Sequence, residues 1–206
     1  MTSTLKVTVH RADKLEDVER FGKNDPYVQA SLDIKAPKSF VKTTVKKNAG
    51  KNPEWNQTLT IEEYDPNTNH ELYVEILDDE TTIDEPIGFL AIPLRQVVQA
   101  PNHIFKGKFD VYNLDGKAKG YIILTLAIVN SGEPAPHVDI QEVQGEGNVE
   151  AAHQHRMKSL KNKEKAADGG LIAATLGGLV AGKFLLDQHN DDKKAKEAAT
   201  LAALEQ

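Results

Sequence analysis

The stretch Gly22-Lys23-Asn24-Asp25-Pro26-Tyr27-Val28 sits where one strand pattern ends and another begins. Before it, Leu5, Val7 and Val9 alternate with Lys6, Thr8 and His10, the period-2 signature of a half-buried strand. A loop holding Asp17 and Glu19 leads into the stretch, and Tyr27 to Leu32 continues from it as a second strand. Similar short runs follow at Phe40 to Val45, Trp55 to Ile61, Leu72 to Leu77, Ile87 to Pro93, Phe105 to Tyr112 and Tyr121 to Val129. Turn chemistry separates them at Asp25-Pro26, Ala49-Gly50, Asn52-Pro53, Asp65-Pro66 and Asp115-Gly116. Eight short strands without a long helical pattern between them predict an all-β domain over residues 1–130, an eight-stranded antiparallel β-sandwich.

Beyond Asn130 the texture changes. Residues 131–149 carry Gly, Pro and Glu without periodicity and read as a flexible linker. Residues 150–206 are rich in Ala, Lys, Glu, Gln and Leu, which predicts an α-helical tail interrupted at Asp168-Gly169-Gly170. Within it, segment 169–186 repeats small residues every four positions. One column is Gly170, Ala174, Gly178 and Gly182, and its neighbour is Gly169, Ala173, Gly177 and Ala181. On a helix these columns make a smooth face suited to close self-association or membrane contact. The other reading is an apolar tail folded against its own sandwich. The run from Leu171 to Leu186 contains Lys183 and falls short of the ~20 residues that span a bilayer.

Composition narrows the function. The 206 residues are 39% hydrophobic and 27% charged, a soluble globular balance with room for one buried domain and an appendage. A net charge of −6 gives no electrostatic case for nucleic acid binding. The absence of cysteine removes disulfides, thiolate metal sites and a thiol nucleophile together. The alternating N-terminus has no apolar signal-peptide core, so a cytoplasmic location is expected. No nucleophile elbow, phosphate-binding glycine loop or His-Glu-x-x-His is present, and His153 and His155 at i, i+2 would point apart on a helix. All seven histidines are expected at the surface, and the chain is not expected to be an enzyme.

Two acidic loops follow strands fifty residues apart. One holds Asp17, Glu19 and Asp25. The other runs Asp78-Asp79-Glu80 and closes at Asp84-Glu85-Pro86-Ile87-Gly88. Calcium takes six to eight oxygens at roughly 2.3–2.6 Å, and paired acidic loops on a sandwich supply them, although acidic residues also simply solubilise loops. The Gly22–Val28 stretch, Asn52-Pro53-Glu54-Trp55-Asn56, and Asp78-x-Glu80 followed by Ile87-Gly88 together resemble the C2 domain, in order and spacing, over about residues 3–128. The resemblance implies two four-stranded sheets in the permuted, phospholipase C-like topology, with calcium-binding loops gathered at one end. It also implies a calcium set of Glu19, Asp25, Asp78, Glu80 and Glu85. Three of these are glutamate where the family's pattern has aspartate, and the extra methylene loosens geometry tuned to the shorter side chain. Trp55 is expected in the core, fixing its loop through the indole N–H.

A second group is basic. Lys35, Lys38, Lys42, Lys46 and Lys47 occupy a window without an acidic residue, and Val41, Thr43 and Val45 should face the core while Lys42 and Lys46 face solvent. The patch reads either as a lipid-binding surface or as edge-strand protection against aggregation. Together these features predict a cytoplasmic, peripherally associated module that binds anionic phospholipid membranes with calcium. The alternative is a calcium-independent protein-interaction adaptor whose tail forms homo-oligomers or holds a protein partner.

Overall fold

A computed structural model of the chain describes residues 3–19, 22–137, 140–164 and 166. Among the described residues nine strands alternate with short connections: β1 Ser3–Asp13, β2 Pro26–Ser31, β3 Val41–Lys42, β4 Glu54–Tyr64, β5 Glu71–Asp78, β6 Glu85–Pro93, β7 Ile104–Tyr112, β8 Ala118–Asn130 and β9 Val143–Gln144. A short helix, α1 (Arg95–Gln99), follows β6, and a longer one, α2, spans 151–164. The pairing order is β3-β2-β5-β6-β7-β8-β1-β4, with β9 beside β7. Between β6 and β7 only Phe89 and Tyr112 pair, so the order divides there into two four-stranded antiparallel sheets. The first strand lies between β4 and the last long strand, β8, as the permuted topology requires.

Alternation builds the main core. Leu5, Val7 and Val9 of β1 are fully buried and meet Leu72, Val74 and Ile76 of β5 together with Ile122, Leu124 and Leu126 of β8. Gly88 is fixed by a close approach, because a Cβ there would overlap Val111 and crowd the Tyr112 carbonyl. Trp55 is buried in this core as expected, but its Nε1 finds no hydrogen-bond partner among the described residues. Packing, and not the indole N–H, therefore holds its loop.

The structure differs from the sequence reading after Asn130. Residues 143–148 do not hang free; they seal the seam between the sheets. β9 runs parallel to β7, the Gly145 N–H donates to the Lys108 carbonyl at 2.9 Å, and Asn148 exchanges both backbone bonds with Ala91 of β6. Arg95 of α1 clamps Glu146 at 2.5 Å, and the Tyr112 hydroxyl donates to the Gly147 carbonyl at 3.1 Å. The physical reason is that a seam with one pair leaves backbone groups on β6 and β7 unsatisfied, and a passing segment can pair them.

Helix α2 belongs to the same compact unit, which runs to Glu164. It lays His153, Met157 and Leu160, spaced i, i+4, i+7, on the outer face of the first sheet against Tyr27, Leu77 and Phe89. His153 is thus fully buried, against the expectation of a surface histidine. Its ring sits edge-on to Phe89 and Tyr73, with centroids 4.8 and 5.3 Å away. Its Nε2 lies 3.2 Å from the buried Glu75 carboxylate, which also accepts from Arg156 Nε at 2.7 Å and Gln29 Nε2 at 2.5 Å.

Candidate metal centre

The Gly22–Val28 stretch builds one end of the sandwich residue by residue. Asn24 is fully buried; its amide accepts from the Val18 N–H and donates to the Glu16 carbonyl, which folds the first acidic loop back on itself. Asp25 donates its backbone N–H to Asp78 Oδ1 at 2.5 Å, tying the two loops together. Pro26 opens β2, a strand position where a missing N–H is tolerated. Tyr27 donates its hydroxyl to Asp84 at 2.6 Å, which steadies the second loop. Burial, followed by the hydrogen bond to Asp84, raises the Tyr27 phenol far above its ordinary range, so it remains a donor.

Glu19, Asp78 and Glu80 offer carboxylate oxygens that all lie within 4.8 Å of one another. Asp78 is fully buried, and while Oδ1 accepts from Asp25, Oδ2 has no partner among the described residues. Burial pushes the Asp78 carboxyl up to about 6, and the negative charges of Glu19, Glu80 and Asp25 push in the same direction against the Asp25 N–H. A divalent cation seated among the three would relieve both the desolvation and the repulsion, so the donor set fits calcium. Three side chains supply only part of a calcium shell; water or a bound headgroup would complete it.

The other two expected ligands are otherwise engaged. The Asp25 carboxylate accepts from the Asn48 N–H at 2.5 Å and from Lys47 Nζ at 3.0 Å, and those bonds, the Asn48 one foremost, hold its pKa below the ordinary value. Glu85, at the first position of β6, forms an ion pair with Lys161 of α2. The neighbouring carboxylates are engaged as well: Asp84 is bonded to Tyr27 and Asp17 pairs with Lys51 at 3.5 Å.

The lysine group also divides. Lys35 and Lys38 are exposed between β2 and β3, and Lys42 is exposed on β3 with Nζ 5.0 Å from the centre of the Tyr27 ring. Thr43 is buried, and its hydroxyl accepts from the Val28 N–H at 2.9 Å. The predicted strand Phe40 to Val45 is regular only over Val41–Lys42, but it stays stitched to β2 through Thr43 N to Val28 O and Lys46 N to Pro26 O. Lys46 is half-buried, and Lys47 turns away from the strand surface to the acidic loops. Gly170, Ala174, Gly178 and Gly182 lie outside the described residues.

Sequence reasoning missed Glu75, His153 and Arg156. A signal for a cover existed in β6, where Ile87-Gly88-Phe89-Leu90-Ala91-Ile92 is apolar on both faces.

The family model for the C2 domain matches residues 3–110, more than half of the chain. Tricalbin-2 of Saccharomyces cerevisiae is 36% identical over 94 residues, 45% of this chain but only 8% of that protein, so the likeness reaches one small part of it. The 16 kDa phloem protein 2 of Arabidopsis thaliana is 31% identical over 151 residues, 73% of this chain and 97% of that one. Among solved structures, a C2 domain of plant extended synaptotagmin 1 superposes with a TM-score of 0.53 at 25% identity, covering 64% of this chain and 97% of that domain. On its motifs, its topology and these matches, the chain belongs to the C2 domain family.

Proposed function

We propose that the sandwich is a non-enzymatic, peripheral membrane-binding module that takes up calcium at Glu19, Asp78 and Glu80. In this reading the bound ion cancels the negative potential of the loops and bridges their carboxylates to anionic phospholipid headgroups. Exposed Lys35, Lys38 and Lys42 add a calcium-independent attraction of about 1 kcal/mol each near an anionic surface. The observation that carries the proposal is the orphaned Asp78 Oδ2, a fully buried carboxylate oxygen without a partner among the described residues, in a cluster with two further carboxylates. Membership of the C2 family supports it. Co-sedimentation of the full chain with phosphatidylcholine vesicles, with and without phosphatidylserine, in calcium or chelator, tests it. Sedimentation that needs both phosphatidylserine and calcium is the expected result, and equal binding in chelator overturns the calcium role. One observation favours the rival, a calcium-independent adaptor: Lys47 and Lys161 already neutralise the Asp25, Asp79 and Glu85 carboxylates. Binding unaffected by calcium and by lipid charge would decide for it.

A further inference from the structure

The loop end holds more carboxylates than the cluster of three uses, and one pair is bridged by a cation of the chain itself. Lys47 Nζ lies 3.0 Å from Asp25 Oδ2 and 2.7 Å from Asp79 Oδ2. Its position is built, not incidental. The turn that carries it is fastened to the start of β2 by three bonds: Lys46 N to Pro26 O at 3.0 Å, Gly50 N to Asn24 O at 2.9 Å, and Asn48 N to Asp25 Oδ1 at 2.5 Å. Asn48 meets that geometry with a left-handed φ of 56°, which asparagine tolerates better than most residues. Asp79 is brought to the same place by its N–H, which donates to the Asp25 carbonyl at 3.2 Å. Like any exposed lysine, Lys47 carries its charge at physiological pH.

We propose that Lys47 is a resident cation that occupies the Asp25–Asp79 position. The module then takes its first divalent ion at Glu19, Asp78 and Glu80, and a second only by displacing the Lys47 ammonium. This rests on the reading of the cluster of three as a calcium site. Lys47 is largely exposed, so its grip is that of a surface ion pair and is screened by salt; it weakens the second ion without forbidding it. The two bonds together set the scale at roughly a tenfold penalty. A consequence is that one calcium together with Lys47 offsets three of the five carboxylate charges of Glu19, Asp25, Asp78, Asp79 and Glu80.

Isothermal titration of calcium into the full-length chain tests the inference. Wild type is expected to show one tight and one weak event. Lys47→Ala should strengthen the weak event about tenfold at low salt, less at high salt, and leave the tight one in place; Lys47→Arg should resemble wild type. Glu80→Gln serves as the separate probe of the cluster of three, weakening the tight event alone. If Lys47→Ala leaves both events unchanged while Glu80→Gln weakens the tight one, the resident-cation inference fails and the calcium site stands. If neither wild type nor Lys47→Ala takes up calcium, both fail. A weak event that strengthens in Lys47→Ala with no response to Glu80→Gln places the first ion elsewhere and overturns the order of filling.

Discussion

Replacing Arg156 with alanine removes the cationic partner of a carboxylate that water cannot reach. Glu75 is fully buried on β5 and accepts from Arg156 Nε at 2.7 Å and Nη2 at 3.3 Å, from His153 Nε2 at 3.2 Å and from Gln29 Nε2 at 2.5 Å. Breaking a buried ion pair by deleting one partner costs about 3–5 kcal/mol, because the remaining charge is left uncompensated. The bonds from His153 and Gln29 survive in the variant and Arg156 itself is partly exposed, so the lower end applies, about 3 kcal/mol at pH 7. Loss of the Arg156 guanidinium over the Phe40 ring, 4.7 Å from its centre, adds about 0.5 kcal/mol. For a chain of this size the thermal midpoint should fall by roughly 7–14 °C.

The pH dependence has a definite sign. Burial alone would raise the Glu75 carboxyl, but the bonds from His153 and Arg156 outweigh it and hold it below its ordinary value. A carboxylate depressed in the fold contributes stability above the unfolded pKa and loses it as pH falls through the folded one. The cost of Arg156→Ala should therefore be largest near neutrality and shrink below about pH 4, where a protonated Glu75 no longer needs a cation. Urea unfolding from pH 7 to pH 3.5, read by circular dichroism, measures this, and trypsin sensitivity at Lys158 and Lys161 reports whether α2 is released first. A loss under about 1 kcal/mol at pH 7, or a loss that does not change with pH, would show that Glu75 is hydrated and α2 undocked.

Three further outcomes are expected. Asp25→Asn combined with Asp78→Asn should abolish calcium-dependent vesicle binding, and a calorimetric calcium affinity unchanged in that variant would reject the assigned site. Lys42→Glu with Lys46→Glu should weaken binding to phosphoinositide-containing vesicles even in chelator; unchanged binding by a folded variant would leave these lysines as edge protection. Gly88→Ala should destabilise the domain by about 1–3 kcal/mol in urea, since the new methyl group meets Val111 and the backbone of Tyr112, and a neutral effect would mean that β6 and β7 yield there.

Local pattern carried much of the architecture. The alternation of Leu5, Val7 and Val9, the breaks at Asp25-Pro26 and Asp115-Gly116, and the two-faced apolar run of β6 are properties of adjacent residues, so the eight main strands could be read from them directly, while their pairing order was only implied by the family resemblance. The same holds for Asp78 and Glu80, whose spacing alone put two carboxylates on one side of a loop. The partner of each charge lay beyond the reach of sequence. Whether Asp25 meets an ion or Lys47, and Glu85 an ion or Lys161, depends on residues tens of positions away brought within 3 Å or so by folding, and lysine spacing along the chain carries no trace of that choice. Residues 143–148 were read as a flexible linker because their bonds go to β6 and β7, whose open seam exists only once the two sheets have met. His153 and Glu75, ordinary polar residues in the sequence, were buried by the same step: α2 closed over the outer face of the first sheet, where a carboxylate out of water needs Arg156 beside it.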